Sequence, residues 1–504
     1  MLNLLGVISA IKIYQYNIPI ITFLKLREVR VDFVWMVSLS TIIFFLFKYF
    51  YPYPNFSPDS HTYIITALYK EQLTLWPIGY PKFLQYFSFF TRKDDVLVYL
   101  QYIFLMLSVF YLLETIRHFS NISKSILLIL YILLAVNPLI LQLANFVGPD
   151  AIFTGFSILW IAHLFWIVIK PSPVLVISHS VLLLLLCLFR YNGMWYPVLS
   201  ILVIICTSLP KKLKFLSIVL IVLLQAAFVV RNYYYYKKIV GVSIINAFGG
   251  WQLASNGLNA YAHAPTIDAN DVPAEFFEIH RIVNEHLAVI KTLSRRPDSL
   301  ITTYYLWDND SPLRRYLINK HRRNYPGASL NFKEWAEVSP LFMSYGKFLI
   351  RHAPLEYIRY FICPNLVYFF TPSGEYLMVY NSRKDFIDKS TQIWFNYKEN
   401  KVKTFFKDKD ITTMWFVSLS VGIFNCLFLL SAIGFFCING FKISSREFAK
   451  IIFLAILAFL GNMLFNVIAS GIILRYEVFS FVLTFVFSVI LLTFLSKLSL
   501  KGLY

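Results

Sequence analysis

Apolar runs of about twenty residues recur along this chain, and they decide what it can fold into. A helix needs roughly 17–25 predominantly apolar residues to cross a bilayer. Runs of this kind lie near 32–50, 96–113, 125–143, 150–169, 174–190, 194–210, 215–231, 411–438, 451–470 and 477–496. They predict an all-α polytopic membrane protein with about 10 transmembrane helices. Asn137-Pro138 interrupts the third run and His179 the fifth. Composition agrees: the chain is 58% hydrophobic and 14% charged, whereas a soluble domain is nearer about 45–50% and about 25%.

Charge gives the expected orientation. Lys25, Arg27 and Arg30; Arg117 and Lys124; Lys170; Lys211, Lys212 and Lys214; Lys442, Arg446 and Lys450; and Lys497 and Lys501 all fall in alternate connections. The positive-inside rule makes that side cytoplasmic and puts both termini there. The Met1–Arg30 segment has its charges after its apolar part, so no cleavable signal peptide is expected. The net charge of +19 is accounted for by these boundary clusters and by attraction to anionic lipid, so no nucleic acid is expected as a partner. The five cysteines include no CxxC pair and imply neither a disulfide framework nor a zinc site.

Three regions follow. Residues 1–231 form an N-terminal transmembrane module with a first outer loop at 51–95, residues 232–410 a mostly helical extracytoplasmic domain between spans 7 and 8, and residues 411–504 the C-terminal helices. The middle region carries turn signals at Gly249-Gly250, Arg296-Pro297-Asp298, Pro326-Gly327 and Pro372-Ser373-Gly374. His280 and His286 lack the HExxH spacing and are expected on a solvated helix face.

The outer ends of the spans hold the residues with chemistry to offer. Asp59, in Pro58-Asp59-Ser60-His61-Thr62-Tyr63, follows the first span and a stiff Tyr51-Pro52-Tyr53-Pro54 stretch. It either caps a helix, as Asp59 or Ser60 would, or takes a proton from an incoming hydroxyl at the water–lipid boundary. Asp150 opens the fourth span after Asn145-Phe146-Val147-Gly148-Pro149. It is a first-turn acid favoured by the helix dipole, or a second carboxylate able to orient an acceptor or, with Asp59, hold a divalent metal through oxygen. Arg190, in Arg190-Tyr191-Asn192-Gly193, and Arg475, in Leu474-Arg475-Tyr476-Glu477, either snorkel or offer planar forks to phosphate oxygens. Lys82 and Arg231 are further cations of that kind. An Asp–Ser–His nucleophile at 59–61 is not expected, because adjacency in sequence does not give triad geometry. The sequons at Asn55 and Asn309 are weak matches.

In this order the motifs resemble those of the GT-C superfamily of polytopic glycosyltransferases, especially the bacterial protein mannosyltransferases and aminoarabinose transferases. The matching pieces are Pro58-Asp59-Ser60-His61-Thr62-Tyr63 with Ala67, then Gly79-Tyr80-Pro81-Lys82-Phe83-Leu84, Asn137-Pro138 leading to Pro149-Asp150, and Arg475-Tyr476, with Arg190-Tyr191-Asn192 as a softer match. They cover about the first 200 residues and the last 50 or so. The resemblance implies a GT-C-like fold and transfer of a sugar from a polyprenyl-phosphate donor to a glycan, lipid or protein acceptor. It makes Asp59 the first catalytic candidate and Asp150 the second, and it assigns the donor phosphate to Arg190, Arg475, Arg231 and Lys82. Ser60, His61, Tyr63, Tyr80, Tyr191 and Tyr476 would line the acceptor pocket. Relatives often carry two acids close together in the first loop; here Ser60 follows Asp59, so no metal ligands are assigned, no cofactor is certain, and a divalent metal stays an open alternative. A bacterial inner membrane with an extracytoplasmic active site is the expected setting. Two alternatives remain: an O-antigen-type polymerase or ligase, and a transporter or flippase, which would carry ionisable residues near mid-span.

Overall fold

The computed structural model describes residues 20–120, 122–298, 304–324, 331–406, 408–438 and 446–502. Residues 1–19 of the opening segment, the Pro326-Gly327 turn and Lys442 lie outside them. The described residues are helical, with four isolated β-bridges and no strand.

Seven described helices are long and apolar enough to cross a membrane, as an integral membrane protein requires. They are α1 (Arg27–Phe50), α4 (Asp94–Phe119), α7 (Asp150–Ile169), α10 (Lys211–Ile239), α17 (Thr413–Cys437), α18 (Arg446–Ala469) and α19 (Val478–Gly502). Between α1 and α4 run two short helices, α2 (Pro58–Leu68) and α3 (Gly79–Ser88). The third apolar run is a broken pair, α5 (Lys124–Ala135) and α6 (Pro138–Asn145), bent by 49° and countable as an eighth span. The break has a local cause. Pro138 brings no N–H to the turn, and the Asn137 side chain caps the new helix at Leu139 N, 2.9 Å. The fifth and sixth runs form α8 (Pro173–Phe189) and α9 (Tyr196–Cys206). Both are shorter than the other spans; the 17 residues of α8 reach only ~26 Å. His179 does not interrupt α8. Its Nε2 pairs with Ser200 Oγ of α9 at 3.0 Å, so the ring is partnered between two helices. Length and composition therefore give seven or eight spans where ten apolar runs were expected.

The basic ends of several helices meet. Asp32 of α1 pairs with Arg117 of α4 at 3.0 Å and with Lys124 of α5. The twenty residues of α7 put Lys170 ~30 Å from Asp150, so this face is the far end from the acids.

Residues 232–410 divide between two apolar cores. The first part packs α11 (Phe248–Tyr261), α12 (Phe277–Ile290), α13 (Pro312–Asn324) and α14 (Ser339–His352) around Trp251, Trp335, Phe342 and Tyr345. Its closest crossing is α11 on α14, where a Cβ on Gly346 would fall 2.6 Å from the Leu253 carbonyl. His280 and His286 are not on a solvated face as expected. They turn into this core, His280 Nδ1 meeting Tyr345 Oη at 2.9 Å and His286 Nε2 meeting Tyr304 Oη at 3.1 Å. An amphipathic helix has two faces, and spacing alone placed these rings on the wrong one. The later part, with α15 (Cys363–Phe370) and α16 (Lys389–Phe395), belongs to the core of the bundle through Phe369, Leu377, Tyr380 and Trp394.

Candidate active site

Two parallel bridges assemble the site. Asn55 pairs with Phe146, with Asn55 N donating to Asn145 O at 2.8 Å and Val147 N to Asn55 O at 3.2 Å. Four residues beyond each partner stand Asp59 and Asp150. Ser373 pairs likewise with Ile473, and Leu474 N donates to Ser373 O at 2.8 Å. Two residues beyond each of these stand Glu375 and Arg475. Asn55 then joins the two pairs. Its Nδ2 donates to Val379 O at 3.1 Å and its Oδ1 accepts from Asn381 N at 2.8 Å. Asn55 is fully buried in this role, so its sequon is inaccessible.

The capping of α2 releases Asp59. Ser57, not Asp59 or Ser60, is the N-cap: the Ser57 hydroxyl and the Ser60 backbone N form one half of a capping box, and Ser60 Oγ accepts from Ser57 N at 3.0 Å as the other. Ser60 is thereby buried and structural. Asp59, one position earlier, keeps its carboxylate for Arg475, whose Nη1 donates to Asp59 Oδ2 at 2.8 Å. The same Nη1 lies 3.9 Å from Asp150 Oδ2, and Asp150 is ion-paired in turn with Arg190. Both guanidinium groups lie over the Tyr476 ring, at 4.7 Å for Arg190 and 5.4 Å for Arg475. Asp59, Arg475, Asp150 and Arg190 thus form one alternating chain of charge from four separate segments.

This chain is partly buried, and burial makes its pairing strong. Burial works against the charge of Arg475, but Asp59 beside it offsets this and holds the guanidinium above its ordinary value. Its Nε is buried without a partner. Glu375 has no ion-pair partner among the described residues. Burial pushes its carboxyl up, against the pull of Arg475 and with the help of Asp59. It also adopts φ +40°, an uncommon setting for a residue with a side chain.

Asp59, Glu375, Arg475 and Tyr476 line a cavity of about 720 Å³. Its lining also includes Trp76, Phe248 and Trp307. A smaller recess beside it, about 80 Å³, is lined by Asp59, Tyr63, Arg190, Tyr191 and Arg475. The remaining expected residues stand elsewhere. His61 turns away, its Nδ1 3.0 Å from Asp388 at the start of α16. Tyr80 is buried and donates to Gln101 Oε1 at 2.7 Å, while Gln101 Nε2 donates to Ala144 O and Phe146 O. It therefore holds the segment that carries Asp150 and does not face the cavity. Lys82 bonds to Gln85 Oε1 at 3.1 Å, and Arg231 to Gln72 O at 3.1 Å. These two cations are neighbours outside the cavity lining: burial first, then the charge of Arg231, lowers the Lys82 pKa.

A metal would meet an awkward donor set. Among the described residues no group of three or more His, Cys, Asp or Glu is close enough to hold one, and Asp59 and Asp150 already face arginines. An ion between them would have to displace a guanidinium. Glu375, Phe248 and Trp307 are cavity residues that the sequence did not single out; for Glu375 the only signal was the Pro372-Ser373-Gly374 turn beside it.

No family model, no curated protein and no solved structure matches this chain. The resemblance to polytopic glycosyltransferases is thus carried by its motif residues alone.

Proposed function

We propose that this protein is a membrane glycosyltransferase of the GT-C type that moves a sugar from a polyprenyl-phosphate carrier to an acceptor hydroxyl on the extracytoplasmic face, in the setting of a bacterial inner membrane. The observation that carries this is the Asp59–Arg475–Asp150–Arg190 chain, in which Asp59 and Arg475 line a 720 Å³ cavity and Arg190 the recess beside it. A group transfer from a lipid phosphate needs a base for the acceptor and cations for the leaving group, and both are adjacent here.

In the reaction the acceptor oxygen attacks the anomeric carbon and Asp59 takes its proton. The bond from that carbon to the phosphate oxygen breaks, and its electron pair leaves with the lipid phosphate. Arg475 and Arg190 stabilise the charge that grows there, an electrostatic role that is strongest in a partly dry site. Asp150 keeps Arg190 in place. Lys82 and Arg231, without carboxylate partners among the described residues, suit a lipid phosphate on its way to the cavity. Inversion at the anomeric carbon is what the resemblance implies.

The test is sugar transfer by purified Asp59→Asn protein in lipid nanodiscs, with a labelled polyprenyl-phosphate sugar. Turnover is expected to drop about a hundredfold or more, as loss of a general base does. Near-normal turnover with an intact fold would remove Asp59 from the reaction. Activity only with a diphosphate-linked oligosaccharide would point to a polymerase or ligase, and sugar-lipid flux without a covalent product to a flippase.

A further inference from the structure

The cavity lining combines two unlike sets of side chains. Asp59, Glu375 and Arg475 are charged; Trp76, Phe248 and Trp307 are aromatic and come from three separate segments. Trp76 lies in the link between α2 and α3, Phe248 begins α11, and Trp307 ends a single turn, Tyr304–Trp307. Their rings form one cluster: Trp76 to Phe248 is 4.9 Å, Phe248 to Trp307 is 6.1 Å and near parallel at 30°, and Trp76 to Trp307 is 6.4 Å. Core aromatics are normally covered, but Trp307 is 40% exposed. Trp76 Nε1 is buried with no hydrogen-bond partner, a condition that natural structures rarely leave without a use. Gln252 and Ser255, on the same helix as Phe248, add polar groups beside the rings.

An aromatic lining alone would suit an acyl chain, and a charged lining alone a phosphate. A pyranose ring matches both at once, because it has a C–H face for an aromatic ring and a rim of hydroxyls for amides, carboxylates and indole N–H groups. We propose that Trp76, Phe248 and Trp307 form the acceptor subsite and that the acceptor is a carbohydrate. One ring of it stacks on the indoles and presents a hydroxyl to Asp59 within the cavity. This rests on the glycosyltransferase function proposed above and narrows its acceptor from a glycan, lipid or protein to a glycan.

Binding can be tested apart from transfer. Detergent-solubilised full-length protein would be applied to an array of free-reducing-end and lipid-free glycans, with a serine- and threonine-containing peptide set alongside. Hits would be followed by titration of tryptophan fluorescence. At least one glycan is expected to bind, and Trp307→Ala is expected to weaken it about tenfold, with Trp76→Phe, which keeps the ring and loses the indole N–H, weakening it less. Circular dichroism would show that both variants fold. Silence across the glycan array, or binding that Trp307→Ala leaves intact, overturns the subsite. Transfer to a peptide or lipid hydroxyl with no glycan bound overturns it too, and leaves the transferase function standing. Glycan binding without transfer from any polyprenyl-phosphate sugar does the reverse.

Discussion

Glu375 shows how much a single side chain can carry at this site. It shares the cavity with Asp59 but has no arginine of its own, and burial holds its carboxyl above the ordinary range. The sign of the consequence follows from linkage. A group whose folded pKa is raised costs no stability below the usual carboxyl range, and costs progressively more as pH climbs through it to the folded value. Glu375→Gln is therefore expected to melt above the wild-type protein at pH 8 and level with it at pH 4. Scanning fluorimetry at the two pH values measures this, and a wild-type advantage at pH 8 would contradict it. Asp59, Asp150, Arg190 and Arg475 were legible in the sequence because a charge at the end of an apolar run stands out in one dimension. Glu375 and Trp307 were not, since they lie in the 232–410 region, which has no period or motif to mark them. Ser60, His61 and Tyr80 share motifs with true cavity residues, but adjacency does not tell which way a helix turns each side chain. One faces its own cap, one faces α16 and one faces the core.

At the level of elements, the two parallel bridges set the register of the acids and the arginine. Neither is a sheet; each is a single pairing between a span end and a loop, and such short pairings depend on what locks them. Asn55 is that lock. Asn55→Ala would strand the part-buried Val379 carbonyl and the buried Asn381 N–H, at a cost of about 2–4 kcal/mol. It is expected to lower transfer activity although Asn55 is not itself in the cavity lining, and Asn55→Asp is expected to recover only the Asn381 contact. A melting temperature unchanged in the alanine variant would refute the locking role. The helices themselves were largely visible as apolar runs. Their ends were less so: α5 and α6 break at Asn137-Pro138 as the sequence suggests, yet α8 passes through His179 and stops at Phe189. The His179 ring meets Ser200 of the next helix at 3.0 Å, and a partner 21 positions away on another helix is not visible in the local pattern.

The whole molecule is a bundle with its basic ends on one face and the cavity toward the other. If the positive-inside rule sets its orientation, the cavity opens away from the cytoplasm. A cysteine introduced for Thr62, a cavity residue, in a background without the five native cysteines is then expected to react with a membrane-impermeant maleimide added outside intact cells. Labelling only after the cells are broken would invert the topology. Two apolar cores meet around the cavity, since of its aromatic lining Phe248 packs against the core within 232–410 and Trp76 against that of the bundle. The sequence separated these regions by span and loop, but it gave no sign that residues 363–410 would join the bundle, because their apolar residues are scattered among charges.

The alternating chain of acids and arginines is neutral at rest, and under the proposed reaction that neutrality acts as an interlock. Arg475 holds Asp59 at 2.8 Å and is shared with Asp150. A carboxylate so held has an oxygen already engaged as an acceptor. When a lipid phosphate arrives, it competes for the same guanidinium, and each bond it gains is one that Asp59 gives up. The base is thus released by the donor, and an acceptor or water entering first meets an acid that is still engaged. Initial-rate kinetics are expected to show ordered addition with the donor binding first; random order would show that the two halves of the site work independently.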